Sequence, residues 1–181
     1  LERHGRKNFD VAFLVMNPGY NELNYQTILD NAKLLNVPIT VFESDIFDTV
    51  AKDDIGGSPC YLCARMRRGH LYSKAKELGC NKVALGHHAD DLIETFFLSM
   101  LYEGRLSTFH PVTIMSRMDL AVIRPMIYVR ERDIISFTAD KPILHNPCPA
   151  DKHTKREYIK NLLKEIRKEI PFSTDNVLNA L

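Results

Sequence analysis

Three short apolar runs, each followed by a stretch of helical periodicity, constrain this chain most. Residues 9–16, 38–43 and 82–86 are apolar and rich in β-branched or aromatic side chains, among them Val11, Phe13, Val15, Ile39, Val41, Phe42 and Val83. Such runs suit strands buried in a parallel sheet. Asn17-Pro18-Gly19 breaks the first run. A helix is then expected over residues 22–35, with Ile28, Ala32 and Leu35 on one face. Further helices are expected over 62–78, stopped by Gly79, and over 90–102. Alternating strands and helices predict an α/β fold: a Rossmann-like parallel sheet flanked by helices, with right-handed crossovers. In such sheets ligands bind at the carboxyl ends of strands, here the ends after Met16, Glu43 and Gly86.

The C-terminal third is less regular. Short strands are expected over 113–116 and 120–124, around a turn near Arg117-Met118-Asp119, and a short helix over 131–139. A Pro-rich loop, 142–151, leads to a basic amphipathic helix over 154–169, with Ile159, Leu162, Leu163 and Ile166 inward. The tail after Pro171 is expected to be loosely held. The reading is therefore one α/β domain, 1–140, with a C-terminal loop and helix, 141–181. Apolar residues make up 45% and charged residues 26% of the 181, as in a soluble globular protein. No apolar run approaches the ~18 residues of a membrane span. The polar start of the chain is no signal peptide, so no membrane partner and a cytoplasmic location are expected.

Chemistry is concentrated at three cysteines: Cys60 and Cys63, with two residues between them, and Cys148 between Pro147 and Pro149. With no secretory context the Cys-x-x-Cys reads as metal or redox rather than as a disulfide. A closed structural zinc site wants four ligands, so three thiolates describe a metal site with one open position. Cys80 reads as a structural thiol.

The second concentration is Gly86-His87-His88-Ala89-Asp90-Asp91, at the third strand end. Gly86 allows close approach of a ligand. His87 and His88 can donate to phosphate oxygens. Asp90 and Asp91 open a helix, where a carboxylate can simply cap free N–H groups. Carboxylates beside phosphates are also the usual way to hold magnesium. Glu94, one turn on, reads as a surface residue. The net charge of +1 announces no nucleic-acid partner, but basic residues cluster over 64–82 and 152–168. Such runs are commonly solvated helix faces.

The stretch Lys82-Val83-Ala84-Leu85-Gly86-His87-His88-Ala89-Asp90-Asp91-Leu92-Ile93-Glu94-Thr95 resembles the PP-loop ATP pyrophosphatase superfamily. Together with Cys60-x-x-Cys63, Val122-Ile123-Arg124-Pro125 and Pro147-Cys148-Pro149, it looks like the tRNA 2-thiocytidine synthetase branch, over roughly residues 9–163. The resemblance implies an adenine-nucleotide hydrolase-like fold. It implies ATP-dependent thiolation at C2 of a cytidine in the tRNA anticodon loop, through an adenylated intermediate. It implies ATP at Met16, Gly86 and His87, with Asp90 and Asp91 as catalytic carboxylates working with Mg2+. It also implies a 4Fe–4S cluster on Cys60, Cys63 and Cys148 whose free iron carries sulfur. Asp151 stands where related members often carry a further cysteine, which fits a three-cysteine site. Arg65, Arg67 and Arg68, with Arg124, Lys155 and Arg156, become candidates for phosphate contacts to RNA. The implied partners are tRNA and a sulfur donor, either a cysteine desulfurase or free sulfide; a homodimer is compatible with the reading.

The chain departs from the family in one respect. The phosphate loop Ser-Gly-Gly-x-Asp-Ser that follows the family's first strand is not among these residues. The first strand here would then be the family's second, leaving two strands on one side of a gap and the rest on the other. The expectation is a fragment of a longer protein, inactive toward ATP by itself. Three alternatives stay open: a lysidine synthetase-like enzyme, a zinc-stabilised RNA-binding module with His145, His153 or Asp151 as fourth ligand, and a Cys60–Cys63 dithiol.

Overall fold

The structure, a computed structural model, describes residues 9–19, 21–44, 46, 49, 59–142 and 154–181, with Pro59 and Cys60 described by their backbone. Cys148, Asp151, His145 and His153 lie outside the described residues. The described chain forms two compact units. One runs to Asn81 and includes Pro142; the other comprises Lys82–Lys141 and residues 154–181.

In the first unit, β1 (Phe13–Asn17) pairs in parallel with β2 (Ile39–Glu43), in the register Phe13↔Ile39 to Asn17↔Glu43. The strand expected from Phe9 begins at Phe13, because Pro38 stands at the next place on β2 and has no N–H to offer a ladder. The connecting helix α1 (Glu22–Leu34) starts at Asn21, whose side chain accepts the Asn24 N–H at 2.9 Å. It stops at Asn36, which adopts φ 50° while Val37 N–H reaches the Ala32 carbonyl at 2.9 Å. Helix α2 (Pro59–Glu77) begins three residues earlier than expected. Pro59 suits a first helical position, where its missing N–H costs nothing. Gly79, at φ 74°, ends it as expected: its N–H bonds to the Lys76 carbonyl, and that of Cys80 to Ala75, both at 2.9 Å. Tyr72 and Ala75 are buried, and α2 packs on β1.

In the second unit, β3 (Lys82–Ala84), β4 (Val112–Met115) and β5 (Leu120–Ile123) form a sheet in the order β3-β5-β4. The five strands among the described residues fall into a two-stranded and a three-stranded sheet. β3 runs parallel to β5, but β4 is antiparallel to it. The β4–β5 link is a single 3-10 turn, Ser116–Met118, closed by Asp119 at φ 47°, far too short for a parallel crossover.

Helix α3 (Ala89–Leu98) follows β3 and runs into a π-helical turn, Ser99–Glu103, closed by Gly104. α4 (Glu131–Phe137), α5 (Lys155–Glu169) and α6 (Ser173–Ala180) complete the unit. Thr154 caps α5, its hydroxyl accepting the Glu157 N–H at 3.2 Å. The core is Ile93, Ile159 and Leu163, with Phe97, Leu98, Leu162, Ile166, Val177 and Leu178 around it. Burying each such core side chain stabilises by about 1.5–3 kcal/mol. The tail expected to be loose is therefore helix α6, held because Val177 and Leu178 pack on this cluster and Thr174 is buried. α5 and α6 lie in the same compact unit as α3 and pack on it.

Candidate functional site: a strand-end cluster and a cysteine-bearing helix

Beyond Ala84 the chain keeps one more ladder bond, from Leu85 N–H to the Ile123 carbonyl at 2.9 Å. Gly86 is exposed, and a Cβ there would meet only Met126 Cε at 3.7 Å, an ordinary contact. His87 turns inward against Phe109, ring centroids 4.9 Å apart. The Arg124 guanidinium lies 4.9 Å from the centroid of the same Phe109 ring. Arg124 Nη1 also donates to the His110 carbonyl at 2.7 Å and to Thr113 Oγ1 at 3.1 Å. Phe109 thus holds together two groups from neighbouring strand ends. Burial lowers the His87 pKa below its ordinary 6.5; Asp91 opposes this, and Arg124 and Arg156 reinforce it. A neutral imidazole keeps one nitrogen as an acceptor. His87 Nδ1 is buried and has no hydrogen-bond partner among the described residues.

The next four residues are occupied by structure. His88 is the N-cap of α3 and forms a reciprocal box with Asp91. The Asp91 N–H donates to His88 Nδ1 at 3.3 Å, and the His88 N–H to Asp91 Oδ2 at 3.1 Å. Asp90 reaches across to another helix. Its Oδ2 accepts the Glu131 N–H at 2.7 Å, and its Oδ1 lies 3.1 Å from Arg130 Nη2. Arg130, at the N-cap position of α4, makes no capping bond of its own, so Asp90 supplies the cap. Of the capping weighed for the helix they open, Asp91 supplies its part through the box with His88, whereas Asp90 caps α4 instead. Among the described residues no group of three or more His, Cys, Asp or Glu side chains is arranged to hold a metal.

Glu94 corrects a sequence expectation: it is not on the surface but 3% exposed. Arg156 Nη1 lies 2.8 Å from its carboxylate and Lys160 Nζ 3.7 Å. Lys160 also meets Glu131 at 3.2 Å, and Arg156 Nη2 donates to Thr95 Oγ1 at 3.2 Å. Burial raises the Glu94 pKa, while the hydrogen bond from Arg156 and the Lys160 charge oppose it. For Lys160, burial pulls downward, but Glu94 and Glu131 outweigh it and hold the ammonium above its ordinary pKa. Arg156, read from the sequence as an RNA contact, is thus tied to α3, with Asp91 a further 3.7 Å away. Lys155 lies over the Tyr102 ring, 4.4 Å from its centroid. No local signal marks Glu94; its partners are remote in sequence.

In the first unit, Cys60 and Cys63 lie in the opening turns of α2, three residues apart and so on one face of the helix. Cys63 is half-buried and in no disulfide. Arg65, Arg67 and Arg68 follow on the same helix and are exposed. Met16 is buried near the carboxyl end of β1. Cys80 is half-buried beside Gly79, within the turn that ends α2.

Comparison with known proteins bears on the family and the fold. A profile of the PP-loop domain matches residues 24–169. The tRNA-cytidine(32) 2-sulfurtransferase of Neisseria meningitidis serogroup A is 39% identical over 168 residues, 91% of this chain and 52% of its own length. The protein of that name from Alcanivorax borkumensis is 36% identical over 189 residues, covering 100% and 65%. That from Pelobacter propionicus is 34% identical over 186 residues, covering 100% and 69%. The chain thus spans roughly half to two thirds of the length of these relatives. Among solved structures, the U34-tRNA thiolase NcsA from Methanococcus maripaludis, with its 4Fe–4S cluster, superposes with a TM-score of 0.71 at 18% identity. The match covers 92% of this chain and 58% of that one, and shows a shared Rossmann-like α/β fold. Since the PP-loop profile covers most of the described residues and whole-chain identity reaches 34% with a relative of which it spans 69%, the chain belongs to the PP-loop family, in the branch of the tRNA-cytidine(32) 2-sulfurtransferases.

Proposed function

We propose that the protein is an ATP-dependent tRNA sulfurtransferase that exchanges oxygen for sulfur at C2 of an anticodon-loop cytidine. The observation that carries this reading is the continuous similarity to proteins of that name over 91–100% of the chain. The C2 carbonyl oxygen is a poor leaving group. Adenylation by ATP releases pyrophosphate and makes the same oxygen part of an AMP leaving group, which sulfur then displaces. Such chemistry needs positive charge and a divalent ion at the phosphates, for which Mg2+ is the expected metal.

The residues read as ATP contacts are Gly86 and His87, at the end of β3 in the second unit, and Met16, at the end of β1 in the first. Gly86 leaves the backbone uncovered, neutral His87 offers an acceptor, and Arg124, fixed against Phe109, supplies positive charge. Asp90 and Asp91 are the proposed catalytic carboxylates; Asp91 also fixes the strand-end turn through its box with His88, and Asp90 caps α4. Cys60, Cys63 and Cys148 would hold the 4Fe–4S cluster, which would supply the sulfur-carrying chemistry. The described part of that ligand set fits: two cysteines one turn apart at a helix N-terminus, a place that favours thiolates. Sulfur comes from a cysteine desulfurase or free sulfide, and the protein acts in the cytoplasm. No helix among the described residues is long and apolar enough to cross a membrane.

The test is nucleoside analysis of tRNA from cells that make the native protein and cells that lack it. 2-Thiocytidine should be present only in the first. Equal amounts in both would overturn the assignment.

A further inference from the structure

A cleft of about 180 Å³ opens in the second unit between α4, α5 and the start of α6. Its three carboxylates are already engaged within the fold. Asp90 lies 3.1 Å from Arg130, Glu94 is met by Arg156 and Lys160, and Glu131 is met by Lys160. Three further cations line the same cleft: Arg132, Lys164 and Arg167. Arg132 has only a 3.7 Å contact with its exposed neighbour Asp133. Lys164 and Arg167 have no carboxylate within 4 Å among the described residues; Arg167 instead donates to the Leu163 carbonyl at 3.4 Å. On the cleft wall, Arg130 Nη1 is buried without a hydrogen bond among the described residues and lies 3.7 Å from Asp175 Oδ1.

These features differ from an ordinary solvated basic face. There, cations point into open water or pair along their own helix, as Lys168 does with Glu165 at 2.7 Å. Here cations from two helices converge on one concavity whose acids are already paired by Arg130, Lys160 and Arg156, so that Arg132, Lys164 and Arg167 are the surplus. A concave site lined by surplus charge of one sign concentrates counter-ions of the other. Exposed Ile135 adds an apolar wall, which suits a sugar–phosphate segment better than a free ion.

We propose that this cleft is an RNA-backbone subsite, in which Arg132, Lys164 and Arg167 contact one or two phosphodiesters. It rests on the tRNA sulfurtransferase reading and deepens it: the sequence shows Lys164 and Arg167 only as part of a basic run and gives no sign of Arg132 beside them. The subsite fixes how tRNA is held; Arg132, Lys164 and Arg167 are not among the residues proposed for the chemistry, although Asp90 lines the same cleft.

The test compares tRNA binding by the wild-type protein, by Lys164→Ala/Arg167→Ala, and by Lys33→Ala/Lys168→Ala. The last removes the same charge from exposed lysines paired along their own helices. At about 0.1 M salt the cleft variant should bind about tenfold more weakly, with a log–log salt slope shallower by about two, roughly one for each phosphodiester released. The control pair should stay within about twofold of wild type. Equal behaviour of the two variants, with wild-type binding intact, would overturn the subsite and leave the enzymatic assignment standing. Unchanged RNA affinity in the cleft variant, with loss only of binding to inorganic phosphate at matched ionic strength, would also overturn it. No tRNA binding by the wild type would overturn both readings.

Discussion

The Arg156 guanidinium lies 2.8 Å from the Glu94 carboxylate, which is 3% exposed, and this pair ties the C-terminal basic helix to the helix that leaves the strand end. Removing one member of a buried pair leaves a desolvated charge, at a cost of about 3–5 kcal/mol. Lys160, at 3.7 Å, offsets part of that. Arg156→Ala should therefore lower unfolding stability by about 2–4 kcal/mol in urea titrations. Glu94→Gln, which keeps an acceptor for Arg156, should cost less. Equal costs for the two variants would mean that the pair is not the tie described.

Asp90 is predicted to act first as the cap of α4. Asp90→Ala removes the acceptor for the Glu131 N–H and a partner of Arg130, and should destabilise by about 1–2 kcal/mol. Asp90→Asn should recover part of this loss. Hydrogen exchange at the Glu131 amide reports the cap directly and should accelerate in the alanine variant alone.

His87 gives a pH signature with a definite sign. Its pKa in the fold lies below the ordinary 6.5, chiefly through burial. The unfolded chain therefore binds more protons in the window below 6.5, and stability rises with pH there. This contribution is complete above pH 6.5 and is lost as pH falls through the folded value. Urea midpoints measured from pH 7.5 down to 5 should decline more steeply for wild type than for His87→Gln. An NMR titration should place the His87 midpoint below 6.5.

Much of the fold was legible in local pattern. The apolar runs marked β1, β2 and β3, Gly79 marked the end of α2, and Ile159 and Leu163 marked the buried face of α5. What escaped was set by contacts distant along the chain. Glu94 looks like a surface residue until Arg156, 62 positions on, is placed beside it. Asp90 caps a helix that begins 41 positions later. The tail after Pro171 is ordered because Val177 and Leu178 find the Ile93–Ile159–Leu163 cluster. The strand-end site was legible for the opposite reason: Gly86 to Asp91 is contiguous, and a strand end in an α/β sheet is a known place for ligands. The Phe109 bridge between His87 and Arg124 carried no motif and emerged only from the packing.

The central claim is that Cys60 and Cys63, at the start of α2, complete an iron–sulfur site with Cys148. The direct measurement is iron, acid-labile sulfide and zinc content of the protein purified without oxygen, with its visible spectrum, for wild type and Cys63→Ser. Wild type should be brown with about four irons and four sulfides per chain, and Cys63→Ser should lose most of both. A colourless wild-type protein carrying one zinc after anaerobic reconstitution, or a Cys63→Ser variant with undiminished iron, would contradict the account.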